Sequence, residues 1–481
     1  MNQNPIDLAA FREIVGSPYV KEDPDSLAGY AIDNMAPRAV ILPEEVEEVS
    51  GVVRLAAEKG LSMVPRGSGS KIALGHSPTR LDLVIGMERL NRIVDMDTAN
   101  LTVTAQAGVR FKEVQTILET QEDRCYLPHE EPEKVAEEAI CSDRENRGCF
   151  IPLMPPFSET ATLGGIIAAN SSGPTRLLYG LPRDLVLGVR YVAPDGRVVG
   201  MGGKTVKNVS GYDMSKLMIG SMGTLGILCE MTLRLLPLPE QAGTGIFVFK
   251  DLAGARQFVE WIFETALLPA AVEVMNARAF GFLAPEGTAV SGSNAYAVVA
   301  AFEGVQEAVS RLKSETEARA RELKGIHQTY LQGEAHSSFW GEYSNLSSRL
   351  AKDCPDLLTV KINYPISCYD EILETIGSLA ADAALDHAIF CHGGSGVARV
   401  HFLPDHADGQ DGKKLQSLLE EILKRCEAIG GNLIIERARP ELKKTLPVWG
   451  QQREDQIIMQ RIKKGMDPGG LFSPGRFVGG I

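Results

Sequence analysis

Between Pro155 and Pro237 the chain places glycines at Gly164-Gly165, Gly173, Gly180, Gly202-Gly203, Gly211, Gly223 and Gly226, separated by apolar runs. Lacking a Cβ, glycine accepts positive φ and lets main-chain amides approach a ligand closely. An ordered series of such turns therefore suits contact with phosphate or with a large flat ring. A second turn lies upstream, where Pro65-Arg66-Gly67-Ser68-Gly69-Ser70-Lys71-Ile72-Ala73-Leu74-Gly75 follows the apolar run Leu61 to Val64. A strand that delivers a Gly/Ser turn presents successive N–H groups as an anion nest, the chemistry of a pyrophosphate site. The run is neither GxGxxG nor a P-loop, since Lys71 follows a serine and precedes an isoleucine. Alone, such a turn reads as an ordinary loop. Taken together, the two stretches read as the site of a flavin.

These residues carry a resemblance. The Arg66 to Gly75 loop, Thr162-Leu163-Gly164-Gly165 with Asn170, Lys207-Asn208-Val209-Ser210-Gly211-Tyr212-Asp213 and Gly220-Ser221-Met222-Gly223-Thr224-Leu225-Gly226-Ile227 resemble the FAD-binding family of vanillyl-alcohol-oxidase (PCMH) type. Gly430-Gly431, Pro447-Val448-Trp449 and Phe472-Ser473-Pro474-Gly475-Arg476-Phe477-Val478-Gly479-Gly480 are similar to the C-terminal end of glycolate oxidase FAD-binding subunits of the E kind. The resemblance spans residues 37 to 240 and about 390 to 481. It implies an α+β fold, a PCMH-type FAD-binding domain followed by a ferredoxin-like substrate or cap domain. It also implies pyrophosphate contacts from Arg66, Gly67, Ser68, Gly69 and Ser70, and ring and phosphate contacts from Thr162, Leu163, Gly164, Gly165, Asn170 and Gly173. The adenine-side turn would be Gly223, Thr224, Gly226 and Ile227, with Lys207, Gly211, Tyr212 and Asp213 beside the flavin. Some members bond the flavin to a histidine in the first loop. Here the matching position is Ser70, so the expected FAD is non-covalent.

Related D-2-hydroxyacid dehydrogenases carry histidines and a glutamate that hold a divalent metal and the substrate. The local counterparts are His392-Gly393-Gly394-Ser395-Gly396-Val397-Ala398-Arg399 and Gly430 to Arg437. His392 and Glu436 persist, while Arg399 and Arg437 stand where histidines are expected. Arginine does not deprotonate to ligate a metal, so no metal site is expected. Two readings stay open. Arg399 and Arg437 clamp a substrate carboxylate while His392 takes the hydroxyl proton. Alternatively, the arginines pair with Glu436 or surface acids and His392 is structural. His401, two residues beyond Arg399, is a reserve base.

With 481 residues the chain has room for two or three cores, and its net charge of −13 argues against nucleic acid as the main partner. No apolar run approaches the roughly 18 residues of a membrane helix, and no signal segment opens the sequence, so the expected address is the cytoplasm, with membrane association only through partners. The eight cysteines contain no CxxC, so no iron-sulfur or zinc motif is drawn from them. Electrons taken from a hydroxyacid would then leave through a partner. The resemblance implies an iron-sulfur subunit and a second flavoprotein. An independently active D-lactate or glycolate dehydrogenase and a flavin-bearing relay subunit without substrate chemistry stand as alternatives.

The spacing of Val46, Val49, Val52, Val53 and Ala56 predicts a helix, and Phe111 to Thr120 a second one. Strands are expected at Leu81 to Ile85, Leu101 to Ala105, Leu185 to Val192, Arg197 to Gly200 and Leu228 to Leu236. Glu130 to Arg147 reads as a charged insertion. Pro237-Leu238-Pro239 suggests a boundary, giving residues 1–239, 240–440 and 441–481 as FAD domain, cap domain and a tail returning to the FAD domain. In the cap, strands at Ile246 to Phe249, Tyr296 to Phe302 and Leu358 to Ile362 alternate with helices at Leu252 to Thr265, Val305 to Leu323 and Tyr369 to Ala381. No internal repeat is visible.

Overall fold

The computed structural model describes residues 6–121, 148–204, 212–286, 288, 292, 294–404, 411–451 and 454–481. The charged stretch expected at Glu130 to Arg147, and Lys207 and Gly211, lie outside the described residues.

Two sheets share one core in the first half. Val20–Lys21, Ala39–Ile41, Leu83–Gly86 and Met63–Arg66 form a four-stranded sheet in that order, the last three parallel. The parallel geometry needs a crossover, and the helix Val46–Glu58 supplies it, burying Val46, Val49, Val52, Val53 and Ala56 along one stripe. Ile93–Asp97, Thr102–Gln106, Ile227–Arg234, Val186–Val192 and Val198–Gly202 make a five-stranded antiparallel sheet. Phe11, Val49, Met63, Val103, Val114, Ile167 and Leu233 pack between these layers.

The second half is one eight-stranded antiparallel sheet with the order His327–Gln332, Gln241–Phe249, Tyr296–Gly304, Ala271–Asn276, Asp386–His392, Val397–Leu403, Leu358–Asn363, Asn432–Arg437. It consists of two βαββαβ units. The first runs from Gln241 to Gln332 with helices Leu252–Glu264 and Gln306–Glu322, and the second from Leu358 to Arg437 with helices Tyr369–Asp382 and Asp411–Ala428. Each is ferredoxin-like, and they join through the pair Ala271–Asn276 and Asp386–His392. The expected single ferredoxin-like cap is thus doubled, and the repeat unseen in the sequence is present in the topology. The 21-residue helix Gly333–Asp353 connects the units and packs Phe339, Trp340, Leu346 and Leu350 on the face opposite the other helices.

The chain's end returns to the first half. Met63 N–H donates to Leu471 O at 2.7 Å and Ser473 N–H to Met63 O at 2.8 Å, so Phe472 pairs alongside Met63 in parallel. The buried Lys463 ammonium donates to Thr224 O, Phe472 O and Asp467. Arg476 donates through Nη2 to Ile72 O at 2.7 Å and Leu74 O at 2.8 Å, tying the tail to the Gly/Ser loop.

Candidate active site

The parallel strand Met63–Arg66 ends in the Gly/Ser loop, and the loop forms one wall of an open cleft. Arg66 to Ile72, Thr162, Gly164, Gly165, Ser171, Ser221 to Gly223, Gly226 and Arg476 line it. Gly67 and Gly223 show why glycine is required in this lining. A Cβ on Gly67 would collide with Thr162 Oγ1, the atom that accepts the Gly165 N–H at 3.3 Å to cap the helix Leu163–Ala168. At Gly223, φ is +68° and a Cβ would lie 2.5 Å from Pro65 Cγ.

Three buried polar atoms of cleft-lining residues, Arg66 Nε, Ser171 Oγ and Arg476 Nη1, have no hydrogen-bond partner among the described residues. Each orphan of this kind costs about 1–3 kcal/mol unless a ligand satisfies it. Burial pulls the Arg66 guanidinium below its ordinary pKa and that of Arg476 down to about 10, so both stay cationic at neutral pH. Arg66 also lies 4.6 Å over the Tyr30 ring and donates to Gly29 O. Two guanidiniums, a row of loop amides and a long apolar floor fit a dinucleotide with an anionic middle and a flat ring at one end. FAD has that shape and charge.

The remaining cofactor candidates divide. Leu163, Thr224 and Ile227 are buried behind the cleft; Thr224 donates to Ser221 O at 2.6 Å and shapes the turn from the rear. Asn170, held at φ +45°, lines the adjoining cavity, and Gly173 lines a small pocket where a Cβ would strike Met154 O. Tyr212 is 94% exposed, and Asp213 turns back to accept the Ser215 N–H at 3.1 Å. These last two face solvent, because Asp213 is spent on the turn before Ser215–Met218.

A second cavity, of about 310 Å³, shares Lys71, Ala169, Ser171 and Met222 with the cleft. Its far wall is one face of the large sheet. Residues directly opposite on neighbouring strands share a face, and the register sets Glu273 against His392, and Phe390, Arg399, Lys361 and Ile434 in a row across four strands. Glu273 is fully buried and bonds His392 Nδ1 through one oxygen, while the other accepts the Tyr343 hydroxyl at 2.7 Å. Arg399 donates through Nε to Glu436 at 2.7 Å, and Lys71 lies 3.7 Å from the same carboxylate. Burial alone would raise the Glu436 pKa, but Arg399 and Lys71 hold it far below the carboxylate range. Burial pushes Lys361 down to about 8, opposed by Glu436 and reinforced by Lys71, Arg399 and Arg176.

His392, Arg399 and Glu436 therefore come together in this cavity. Of the two readings left open for the arginines, Arg399 is bonded to Glu436. Arg437 is not in the cavity lining; it lines a small side pocket with Ser70, Phe157, Ser347 and Thr359, which Lys71 and Glu436 also border. His401 also faces a different pocket, bonds Thr359 Oγ1 at 3.0 Å, and is driven to about 3 by burial and then by Arg399, which leaves it uncharged. No group of three or more His, Cys, Asp or Glu among the described residues is placed to hold a metal.

Glu273, Lys361, Lys71, Arg176 and Arg476 were not singled out by sequence reasoning. A usable signal existed for two of them, since Glu273 in AAVEVM and Lys361 in LTVKIN are lone charges inside apolar strands, and a buried charge needs a partner or a ligand.

Comparison with known proteins agrees with this geometry. Residues 37–130 and 143–202 match the FAD binding domain family, and residues 238–477 match the C-terminal domain of FAD linked oxidases. Glycolate oxidase subunit GlcD of Bacillus subtilis is 27% identical over 443 residues, 92% of this chain and 88% of the relative. D-2-hydroxyglutarate dehydrogenase of Xanthomonas citri pv. viticola is 27% identical over 489 residues, 98% of this chain and 96% of the relative. Among solved structures, alkyldihydroxyacetonephosphate synthase superposes with a TM-score of 0.73 at 17% identity over 99% of this chain and 86% of that one. Substrate-bound p-cresol methylhydroxylase gives 0.69 at 16% identity, covering 98% of this chain and 95% of that one. No helix among the described residues is long and apolar enough to cross a membrane.

Proposed function

Because the chain belongs to the FAD-linked oxidoreductases of vanillyl-alcohol-oxidase type, we propose that it is the FAD-binding subunit of a 2-hydroxyacid dehydrogenase, converting the hydroxyacid to the 2-oxoacid. The observation that carries this reading is the shared wall between the flavin cleft and a cavity holding a histidine base and an excess of cations.

When bound, FAD supplies the two-electron acceptor for the hydrogen at the substrate's α-carbon. The chain's own residues do the rest. Glu273 accepts a hydrogen bond from His392 Nδ1–H, which fixes the tautomer and leaves Nε2 free to take the hydroxyl proton. Lys361, directly opposite Arg399 on the neighbouring strand, holds the α-carboxylate. Arg399 and Lys71 neutralise Glu436 and set the local field. Trp449 donates through Nε1 to Arg476 O at 3.1 Å and packs 5.3 Å from the Phe477 ring, closing the cavity wall. With Ser70 in the first loop, the FAD is held non-covalently. Electrons leave to partner subunits, an iron-sulfur protein and a second flavoprotein, as the likeness to a glycolate oxidase subunit supports.

The purified chain is expected to show a flavin spectrum that bleaches under anaerobic glycolate, D-lactate or D-2-hydroxyglutarate, and to release the flavin on acid precipitation. A flavin that stays oxidised with all three would make the chain a relay subunit whose partner holds the substrate. Failure to bind added FAD would defeat the assignment of the cleft.

A further inference from the structure

The charges lining the substrate cavity do not balance. Four cations, Lys71, Arg176, Lys361 and Arg399, face a single cavity carboxylate, Glu436. Glu273, fully buried behind the lining, adds its negative charge on the Arg399 side and is hydrogen-bonded to His392 and Tyr343, not to Arg176 or Lys361. Glu436 is taken by Arg399, with Lys71 next to it. That pair of cations on one carboxylate sits at the border with the flavin cleft, where Lys71 lines both spaces and would be available to the charge of a reduced flavin. Arg176 and Lys361 remain, and neither forms an ion pair with any described residue.

A glycolate or lactate molecule has one carboxylate and can satisfy one of these two groups. The other would be left as an uncompensated cation in a partly desolvated cavity, which is unfavourable unless the ligand brings a second anion. The two cations also come from different walls. Lys361 stands on the sheet face beside the base, so it meets the carboxylate adjacent to the reacting carbon. Arg176 comes from the first half, at the start of the short helix Arg176–Tyr179, and reaches into the same cavity from outside the sheet. The cavity volume of about 310 Å³ leaves room beyond a three-carbon acid.

We infer that the substrate is a 2-hydroxyacid bearing a second anionic group, held at its far end by Arg176. This rests on the hydroxyacid reading of the site. A planar guanidinium takes a carboxylate through two parallel hydrogen bonds, so a dicarboxylate is the fitting class, and a phosphate ester offers the same charge in another form.

The test uses the flavin-loaded full chain under anaerobic conditions. D-2-Hydroxyglutarate and D-malate are compared with D-2-hydroxybutyrate and D-lactate, and D-3-phosphoglycerate serves as the phosphate arm. The expected result is a second-order rate constant for flavin reduction at least tenfold higher for one or more of the dianions than for the monoanions. The rank of carboxylate against phosphate identifies the second group. Arg176→Met should shrink that ratio toward one, and Arg176→Lys should restore part of it. Calorimetry with 2-oxoglutarate and 2-oxobutyrate gives a readout independent of turnover, and the wild-type preference for the dianion should weaken in Arg176→Met. Monoanions that reduce the flavin as well as or better than every dianion would overturn the inference and leave the hydroxyacid reading intact. A bound flavin that no hydroxyacid reduces would overturn both.

Discussion

The flavin cleft and the cavity beside it are built on different principles. The cleft is shaped by main chain, with turns packed so closely that Gly67 and Gly223 tolerate no side chain, and it keeps polar atoms of Arg66, Ser171 and Arg476 in reserve without partners. The cavity is shaped by side chains that largely satisfy one another, Glu273 with His392 and Tyr343, and Arg399 with Glu436. A large, invariant ligand can be met by a rigid backbone mould. A small substrate whose charge changes little but whose proton must move is better met by a coupled cluster, in which each group sets the orientation or charge state of the next.

Substitutions should separate the two regions. The largest effect is expected at Gly67→Val, where the side chain occupies the space of Thr162 and of the ligand; the purified protein should carry almost no flavin by absorbance ratio. Gly200→Ala, where a Cβ meets nothing within 4 Å, should keep full flavin content. Retention of FAD by Gly67→Val would mean the backbone is no mould. Next in size, His392→Ala should keep its flavin but slow substrate reduction of it by roughly 10²–10⁴-fold, measured by anaerobic stopped flow. Glu273→Gln should cause a smaller loss, confined to the reduction rate with KM nearly unchanged, because it positions the base without touching substrate. An effect on KM alone would assign Glu273 to binding instead.

The smallest expected effect is one of pH. The Lys361 pKa, lowered to about 8 from 10.5, makes its charge available in the free protein below pH 8 and lost above it, with Lys71, Arg176, Arg399 and Glu436 as the charged groups facing it. Accordingly kcat/KM for a carboxylate substrate should fall as pH rises through about 8, and Lys361→Met should lose that limb along with much of its activity. The sign for stability is the reverse. A depressed folded-state pKa means the ammonium opposes folding below pH 8, an opposition that fades between pH 8 and 10.5. Lys361→Met should therefore melt at a higher temperature than the parent at pH 7, and a lower melting point would show that the ammonium is paired.

The contrast also explains what was legible in the sequence. Loop residues 66 to 70 and the turns at Gly164, Gly165, Gly223 and Gly226 could be read because clustered glycines are visible in the sequence itself, although the groups that exclude a Cβ, such as Thr162 at Gly67 and Pro65 at Gly223, lie far along the chain. Glu273 could not be matched to His392, 119 residues away, because strand pairing brings them together and nothing in either neighbourhood names the other. Arg437 and Glu436 are adjacent in sequence and share a small side pocket, yet only Glu436 also lines the larger cavity, so proximity in the chain misled. Tyr212 and Asp213 lie in a stretch that resembles a flavin-contacting segment, but a side chain committed to its own turn cannot also face the ring. The doubled cap was hidden for a related reason: topology can repeat while residues do not, and strands such as His327–Gln332 and Ala271–Asn276 carry no marker of their place in the sheet.

The join between the two halves of the large sheet consists of the pairs Glu273 with His392, Val274 with Cys391, and Met275 with Phe390. Moving one strand by a single residue would send Glu273 and His392 to opposite faces. The base and its orienting carboxylate thus belong to separate folding units and exist as a dyad only when those units dock in one register. On the proposed mechanism, proton transfer doubles as an assay of assembly: a molecule whose halves have each folded but met out of step would keep its secondary structure and its flavin, and be silent toward substrate.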